Sequence, residues 1–216
     1  MYKIKFQIDK KPTDYQGATS FMENHAHEVY QKKAEELIWL TSHQPVFTAG
    51  VSAKESDLLS SKIPVIKTNR GGKYTYHDPG MRIIYTMLDL KNVFYPEKPD
   101  VAKFVKMLED WIISVLAKLG IKGEIRKDRV GIWVIDPKDG QEKKIAAIGI
   151  KLRKWVSFHG LALNINPDMS AFEKIVPCGI KDFGITSLHD LGVDISLEDL
   201  DKIIKNEFFQ IFKNYQ

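Results

Sequence analysis

Apolar residues recur at a helical spacing in three segments of the chain. The first segment runs from Asp14 to about Lys33, and the second begins at Asp100 and ends at Gly120. Ser196, followed by Asp199, resembles a capping box and predicts a final helix that ends at about Lys213. Each apolar stripe predicts that one face of its helix is buried.

Other segments alternate between apolar and polar residues, which predicts strands. Tyr2–Ile8 and residues 35–43 follow this pattern, and QPVFTAG, residues 44–50, breaks away from the second of these strands. Helices beside clustered strands, without regular βαβ alternation, predict an α+β fold. An antiparallel meander is predicted for three later strand-like runs: residues 130–136, 144–155 and 156–166.

The composition changes this picture little. A length of 216 residues with 44% hydrophobic and 28% charged residues predicts one globular domain over residues 1–216. The net charge of +4 comes from lysines mixed with acids, so it does not indicate a nucleic-acid partner, although clusters at 126–129 and 151–154 could attract an acidic one. No apolar run is long enough for a membrane span, and the N-terminus does not have the pattern of a signal peptide. We therefore expect a cytoplasmic protein without a membrane partner.

The chain has a single cysteine, Cys178, which lies between Pro177 and Gly179 in a stretch without a clear period. One cysteine cannot form an internal disulfide or a cysteine-rich zinc site. A small buried hydrophobic residue is the plainest interpretation of such a thiol. A nucleophile is the alternative, and it needs a partner that favours the thiolate.

A glycine loop is the second unusual feature. RGGKYTYHDPG spans Arg70 to Gly80 and matches neither a Walker loop nor a GxGxxG fingerprint. Paired glycines let backbone N–H groups come close to a ligand. A β-hairpin with a glycine turn, in which His77 is a structural histidine, is the alternative.

The third feature is a lysine at the mouth of an apolar strand. KKIAAIGIKL begins at Lys143 and places small residues, Ala146, Ala147 and Gly149, beside Lys144. Such small residues leave room for a ligand or another backbone. Taken alone, Lys144 is most simply a solvated strand-end charge. A lysine near a thiol would instead favour the thiolate, and alternation does not decide which of Lys143 and Lys144 points inward.

Together, six segments in this order resemble the lipoyl (octanoyl) transferases, which load octanoyl groups from acyl carrier protein onto lipoyl domains. The segments are HQPVFTAG, IPVIKTNRGGKYTYHDPG, GIWV, KIAAIGIKLRKWVSFHGLALNIN, FEKIVPCGI and ITSL. The resemblance implies a single catalytic domain with the α+β fold of biotin and lipoate protein ligases, a mixed, mostly antiparallel sheet flanked by helices. It implies no cofactor and no metal.

The resemblance also implies the site. Cys178 in the P-C-G motif would carry the acyl thioester, and Lys144, which opens the K-[IV]-A-[AS]-[IL]-G motif, would be its catalytic partner. Octanoyl-acyl carrier protein would be the donor, and the acceptors would be lipoyl domains of 2-oxoacid dehydrogenase complexes and the glycine cleavage H protein. The implied substrate-binding residues are Arg70, Gly71, Gly72, Lys73, Tyr74, Thr75, Tyr76, His77, Ala147, Ile148, Gly149, Gly160, Leu161, Ala162 and, in the H-x-P motif, His43.

The chain departs from the family pattern at two positions and leaves other functions open. The usual H-G-P-G-Q has Asp78 in place of its first glycine and Met81 in place of its glutamine. The alternatives are an ATP-dependent lipoate or biotin ligase of the same fold, a cysteine hydrolase that pairs Cys178 with His77 or His159, and a non-catalytic module that binds the acyl carrier or lipoyl domains.

Overall fold

The computed structural model describes residues 3–60, 62–127, 129–175 and 183–215. The proposed nucleophile, Cys178, lies outside the described residues. Within the described ranges, no helix is both long and apolar enough to cross a bilayer.

The three predicted helices are present, and short helices and strands that the sequence did not predict lie between the predicted elements. The predicted helices are α1 (Tyr15–Tyr30), α3 (Val101–Lys118) and α5 (Leu197–Lys213), and the short ones are α2 (Leu90–Val93) and α4 (Met169–Phe172). The strands are β1 (Ile4–Ile8), β2 (Glu36–Thr41), β3 (Val46–Ala49), β4 (Val65–Lys67), β5 (Tyr74–His77), β6 (Met81–Met87), β7 (Glu124–Arg126), β8 (Arg129–Ile135), β9 (Glu142–Arg153), β10 (Val156–Asn164) and β11 (Gly184–Ile185).

The main sheet has the strand order β1-β2-β6-β10-β9-β8-β7, and β11 pairs with β9. The β1–β2 and β9–β11 pairs are parallel, whereas the other pairs are antiparallel. The predicted meander is present as β8, β9 and β10. These pairings confirm the α+β fold with a mixed, mostly antiparallel sheet.

A small second sheet corrects two expectations from the sequence. Val46–Ala49, inside the segment predicted to break away, is a strand, β3, at the centre of the order β4-β3-β5. The glycine loop is therefore not a hairpin, because the strands on either side of it pair with β3 and not with each other. The apolar alternation of β3 is hidden in the sequence because all of its residues are buried.

Helices cover both faces of the main sheet, and strand alternation sorts side chains between them. In β2, Ile38 and Leu40 join the core under α3 and α5, whereas Leu37 and Trp39 join the core under α1. The caps predicted at Asp100 and Ser196 form, because Asp100 accepts from Lys103 N and Ser196 accepts from Asp199 N. The first helix ends at Tyr30, three residues before the predicted end.

A buried ion pair fastens the C-terminal helix to the sheet. The Arg82 guanidinium of β6 donates to both carboxylate oxygens of Asp201 in α5, each over 2.7 Å. Arg82 also donates to the backbone carbonyl of Asp9 over 3.1 Å. The pair therefore ties α5, β6 and the chain after β1 together.

We expect Asp201→Ala to destabilise the fold by about 3–5 kcal/mol, since it leaves the buried Arg82 charge without its carboxylate. Urea unfolding followed by circular dichroism measures the change. Lys202→Ala, on the exposed side of the same helix, is the matched control and should stay near the wild-type value. Equal midpoints for the two variants would contradict this role of Asp201.

Candidate active site

A cleft opens over three neighbouring strands where their side chains are small. Gly160 of β10 lies opposite Gly149 of β9 and Tyr85 of β6, and the next row toward Lys144 brings Ala162 beside Ala147 and Ile83. A Cβ atom at Gly160 would lie 2.0 Å from the Ile84 carbonyl oxygen, so no side chain fits there. The floor of the cleft is therefore smooth and mostly apolar.

The glycine loop closes one side of this cleft, and Arg70 holds the loop in shape. The Arg70 guanidinium donates to the backbone oxygens of Thr48, Gly71 and Lys73 over 2.8–2.9 Å. Gly72 has a φ of 89°, which favours glycine. The loop rests on β9, because a Cβ atom at Gly149 would lie only 3.2 Å from the Gly71 carbonyl oxygen.

Most of the residues predicted to bind substrate meet in this cleft. Tyr76 does not line it, because its ring packs against Phe47 and Phe172. His43 lies behind the lining and is fully buried. The predicted residues that line the cleft are Arg70, Gly71, Gly72, Lys73, Tyr74, Thr75, His77, Ala147, Ile148, Gly149, Gly160, Leu161 and Ala162.

Sequence reasoning missed part of the lining. Tyr15, Ile83 and Tyr85 contribute to the cleft, and so does His159, which was considered only for a hydrolase pair. Tyr15 and Tyr85 looked like ordinary core positions, since each sits on the apolar face of its element. Their hydroxyl groups, which need polar partners when buried, are the signal that could have distinguished them.

His43 and Tyr85 form a hydrogen-bonded chain below the cleft. His43 Nδ1 lies 2.9 Å from the backbone carbonyl of Thr13, which can only accept, so Nδ1 carries the proton. His43 Nε2 is then the acceptor, and the Tyr85 hydroxyl donates to it over 2.6 Å. Burial lowers the pKa of His43 and raises that of Tyr85, so both groups are neutral near pH 7.

His77 and His159 are also held neutral. Burial lowers the pKa of His77 well below its usual value, with smaller contributions from His43 and Arg70. Burial, assisted by the charges of Arg70 and Lys151, lowers the pKa of His159 to about 4. His77 Nδ1 has no hydrogen-bond partner within the described part of the chain.

The backbone turns His159 toward the cleft. Its φ of 61° lies in the left-handed region, so its side chain does not follow the alternation of β10. Its ring lies beside Phe158, and its Nε2 lies 3.2 Å from Asn69 Oδ1. Because the amide oxygen accepts, Nε2 carries the proton and the second ring nitrogen is the acceptor.

A bulge in β9 decides the direction of Lys144. Trp133 pairs with Lys144, but Ile132 pairs with Ala146, so Ile145 is an extra residue on its strand. Ile145 and Ala146 both belong to the core under α3 and α5, whereas Ala147 lines the cleft. Lys144 therefore points away from that core, on the face that carries Ala147.

Lys144 is buried, with 4% of its surface exposed, so it is not a solvated strand-end charge. Its Nζ donates to the Val130 carbonyl over 3.0 Å and lies 4.8 Å from the centre of the Trp133 ring. Gly131, with a φ of 125°, leaves room for the lysine stem, since a Cβ atom there would lie 3.1 Å from Lys144 Cε. The neighbouring Lys143 instead pairs with Asp136 and Asp139.

Contacts hold the described chain on either side of Cys178, and one of them is beside Lys144. Ile175 forms a bridge with Leu58 and belongs to the core under α1. After the gap, Gly184 and Ile185 pair in parallel with Lys143 and Lys144. The chain thus returns beside Lys144 seven positions after the cysteine.

The two departures from the family pattern have local structural roles. Asp78 accepts from Gly80 N and from Asp168 N, each over 2.8 Å, and so joins the β5–β6 turn to the start of α4. Met81 is buried in the core under α1. Neither residue lines the cleft.

One of the basic clusters is largely neutralised. Arg126 pairs with Glu124 and Glu142, and Arg129 pairs with Glu142.

No group of three or more histidine, cysteine or acidic side chains that could hold a metal ion occurs in the described ranges.

The fold and the cleft place the chain in a known class of proteins. The model of the lipoyl protein ligase A/B catalytic domain matches residues 14–209. A lipoate-protein ligase A bound with ATP has a TM-score of 0.73 at 14% identity, over 97% of this chain and 86% of its own. A biotin protein ligase from Aquifex aeolicus has a TM-score of 0.51 at 13% identity, over 100% of this chain and 71% of its own. The chain therefore has the catalytic fold of biotin and lipoate protein ligases.

Sequence similarity gives the particular family. The octanoyltransferase of Wolbachia pipientis subsp. Culex pipiens is 49% identical over 205 residues, which cover 95% of this chain and 98% of the relative. The octanoyltransferase of Paracoccus denitrificans is 49% identical over 207 residues, which cover 93% of each chain. The chain belongs to the octanoyltransferase family of acyltransferases, which confirms the resemblance drawn from the motifs.

The lowered pKa of His159 predicts a pH-dependent stability. Between its ordinary value of 6.5 and about 4, the unfolded chain binds a proton that the folded chain does not, so stability falls as the pH falls. This group alone should cost about 2 kcal/mol at pH 5 relative to pH 7.5. Urea unfolding at the two pH values measures the difference.

His159→Asn should reduce this pH dependence, because asparagine tolerates the left-handed backbone and does not titrate. His27→Gln, at an exposed position on α1, is the matched control and should keep the wild-type slope. A slope that His159→Asn leaves unchanged would refute the assignment.

Proposed function

We propose that this octanoyltransferase carries the octanoyl group as a thioester on Cys178 and that Lys144 moves the protons. The donor is octanoyl-acyl carrier protein. The acceptors are the lysines of lipoyl domains, in 2-oxoacid dehydrogenase complexes and in the glycine cleavage H protein. The burial of Lys144 on the cleft face of β9 is the observation that carries the proposal, since removing an ammonium from water is costly.

The first step exchanges one thioester for another. The Cys178 thiolate attacks the octanoyl carbonyl, a new C–S bond forms, and the bond to the carrier sulfur breaks. The Lys144 ammonium gives a proton to the departing carrier thiolate. Because the bond broken and the bond formed are both thioesters, the step is close to energy-neutral and needs no ATP.

The second step forms an amide. The neutral amine of the acceptor lysine attacks the octanoyl-enzyme, the C–N bond forms, and Cys178 leaves as a thiolate. The amine proton goes to Lys144, which is thereby restored to its ammonium form. The enzyme ends the cycle in its starting protonation state, and the stable amide makes the transfer favourable.

The cleft supports an acyl substrate. Its floor of alanine and glycine, with Ile83 beside it, offers an apolar surface on the same face as Lys144. Each methylene group buried there contributes about 0.8 kcal/mol. The substrate-binding roles of the lining residues follow from this placement and from the family motifs, and they remain part of the proposal.

The histidines support this route over a cysteine hydrolase. A thiolate–imidazolium pair needs a histidine that holds a proton, and burial lowers the pKa of both His77 and His159. Lys144 supplies a positive charge in their place.

Since the reaction needs a free thiol, we propose the reducing cytoplasm as the location of the protein. We also propose that residues 1–216 form one catalytic domain.

Incubation with octanoyl-acyl carrier protein should add one octanoyl mass to the protein, because the thioester is a covalent intermediate. Intact-protein mass spectrometry measures the adduct, and Cys178→Ala should abolish it. Addition of a lipoyl domain should remove the adduct from the wild-type protein and modify the domain.

Other outcomes of the same experiment favour the other functions. An undiminished adduct in Cys178→Ala removes the cysteine from the mechanism. Modification of the lipoyl domain from free octanoate, only with ATP, indicates a ligase. Release of octanoate without an acceptor indicates a hydrolase, and binding without any adduct indicates a non-catalytic module.

Lys144→Ala should slow alkylation of Cys178 by iodoacetamide at neutral pH, since loss of the ammonium disfavours the thiolate. Alkylation rates measured across pH test this effect. Lys143→Ala is the matched control, because its side chain pairs with Asp136 and Asp139 and should not affect the thiol. Similar slowing in both variants would argue against a specific role of Lys144.

A further inference from the structure

An aromatic and cationic stack stands beside Lys144, and the motifs did not indicate it. The Arg129 guanidinium lies 4.5 Å from the centre of the Trp133 ring and 3.6 Å from that of Phe183. The two rings meet edge to face, with centres 5.6 Å apart. The Lys144 ammonium contacts the same Trp133 ring.

A hydrogen bond and close packing hold the Trp133 ring in place. Its Nε1 donates to the Arg129 carbonyl over 3.3 Å, and the side chain is almost completely buried. Arg129 is itself paired with Glu142, so its positive charge is compensated next to Lys144. The Trp133 ring therefore offers the Lys144 ammonium a fixed aromatic surface.

Two contacts fix the position of the Lys144 ammonium on this side of the sheet. Its Nζ donates to the Val130 carbonyl over 3.0 Å and lies 4.8 Å from the centre of the Trp133 ring. An aromatic face attracts a cation through its quadrupole, so the ring helps to orient the ammonium. The side chain of the neighbouring Lys143 is held elsewhere, by Asp136 and Asp139.

We propose that Trp133 is a positioning residue for Lys144, and that Arg129 and Phe183 hold Trp133 in that position. The inference rests on the proposed chemistry of Lys144 and Cys178. Trp133 acts only through the lysine, because it fixes where the positive charge stands relative to the thiol. Phe183 also joins this support to the chain two residues before β11 pairs with Lys144 at Ile185.

The test compares Trp133→Leu with Trp133→Phe. Leucine removes the aromatic face and should slow acylation of Cys178 by about fivefold. It should also raise the pH of half-maximal iodoacetamide alkylation by roughly half a unit. Phenylalanine keeps a ring and should restore most of the wild-type rate and profile.

A second pair of variants covers the case in which Trp133→Leu does not fold. Phe183 is only half-buried, so Phe183→Leu should fold and shift the alkylation profile in the same direction, whereas Phe183→Tyr should not. Urea unfolding shows whether each variant is folded at the pH of the measurement. A purely structural stack would lower stability and leave the alkylation profile unchanged.

The outcomes separate this inference from the function on which it rests. If the wild-type protein acylates at Cys178 while the folded leucine variants keep its profile, the positioning role is wrong and the transferase mechanism stands. If Cys178→Ala still forms the adduct, the thioester mechanism itself is wrong. The expected result is a Cys178 adduct in the wild type and a shifted profile in the leucine variants only.

Discussion

The absence of side chains at Gly149 and Gly160 is the constraint on which the cleft depends. Strand β10 lies so close to β6 that a Cβ atom at Gly160 would collide with the Ile84 carbonyl. Gly149, which pairs with Gly160 from β9, leaves just enough room for the glycine loop. The loop keeps its course because the Arg70 guanidinium donates to the backbone carbonyls of Thr48 in β3 and of Lys73 in the loop. The open space of the cleft, the strand pairing and the loop conformation thus share one requirement for small residues.

The cleft and its surroundings combine neutral polar groups with buried cations, among them Arg70 and Lys144. His43, His77, His159 and Tyr85 are neutral near pH 7 because burial disfavours their charged forms. Lys144 lies on the same face of the sheet, next to an aromatic ring and a carbonyl. In the proposed mechanism, the mostly apolar floor holds the acyl chain and the Lys144 ammonium stabilises the thiolate.

The fold by itself does not decide which chemistry takes place. The lipoate-protein ligase A of similar fold was solved with bound ATP, although only 14% of its aligned residues are identical. The residues that make an acyl-enzyme route reasonable here are a lone cysteine and a buried lysine, placed on a scaffold that also serves ligases. Family membership was evident from the motifs, and the fold agrees with it.

The sequence alone determined the three long helices, the meander and the family, because hydrophobic period, capping residues and short motifs are local signals. Alternation could not choose between Lys143 and Lys144, since a bulge at Ile145 changes the face on which each residue lies. It also missed β3, whose residues are buried on both sides, and the turn of His159 toward the cleft. The Arg129–Trp133–Phe183 stack exists only because distant segments meet. Tertiary structure decided these features because each depends on strand pairing and burial, which no local pattern encodes.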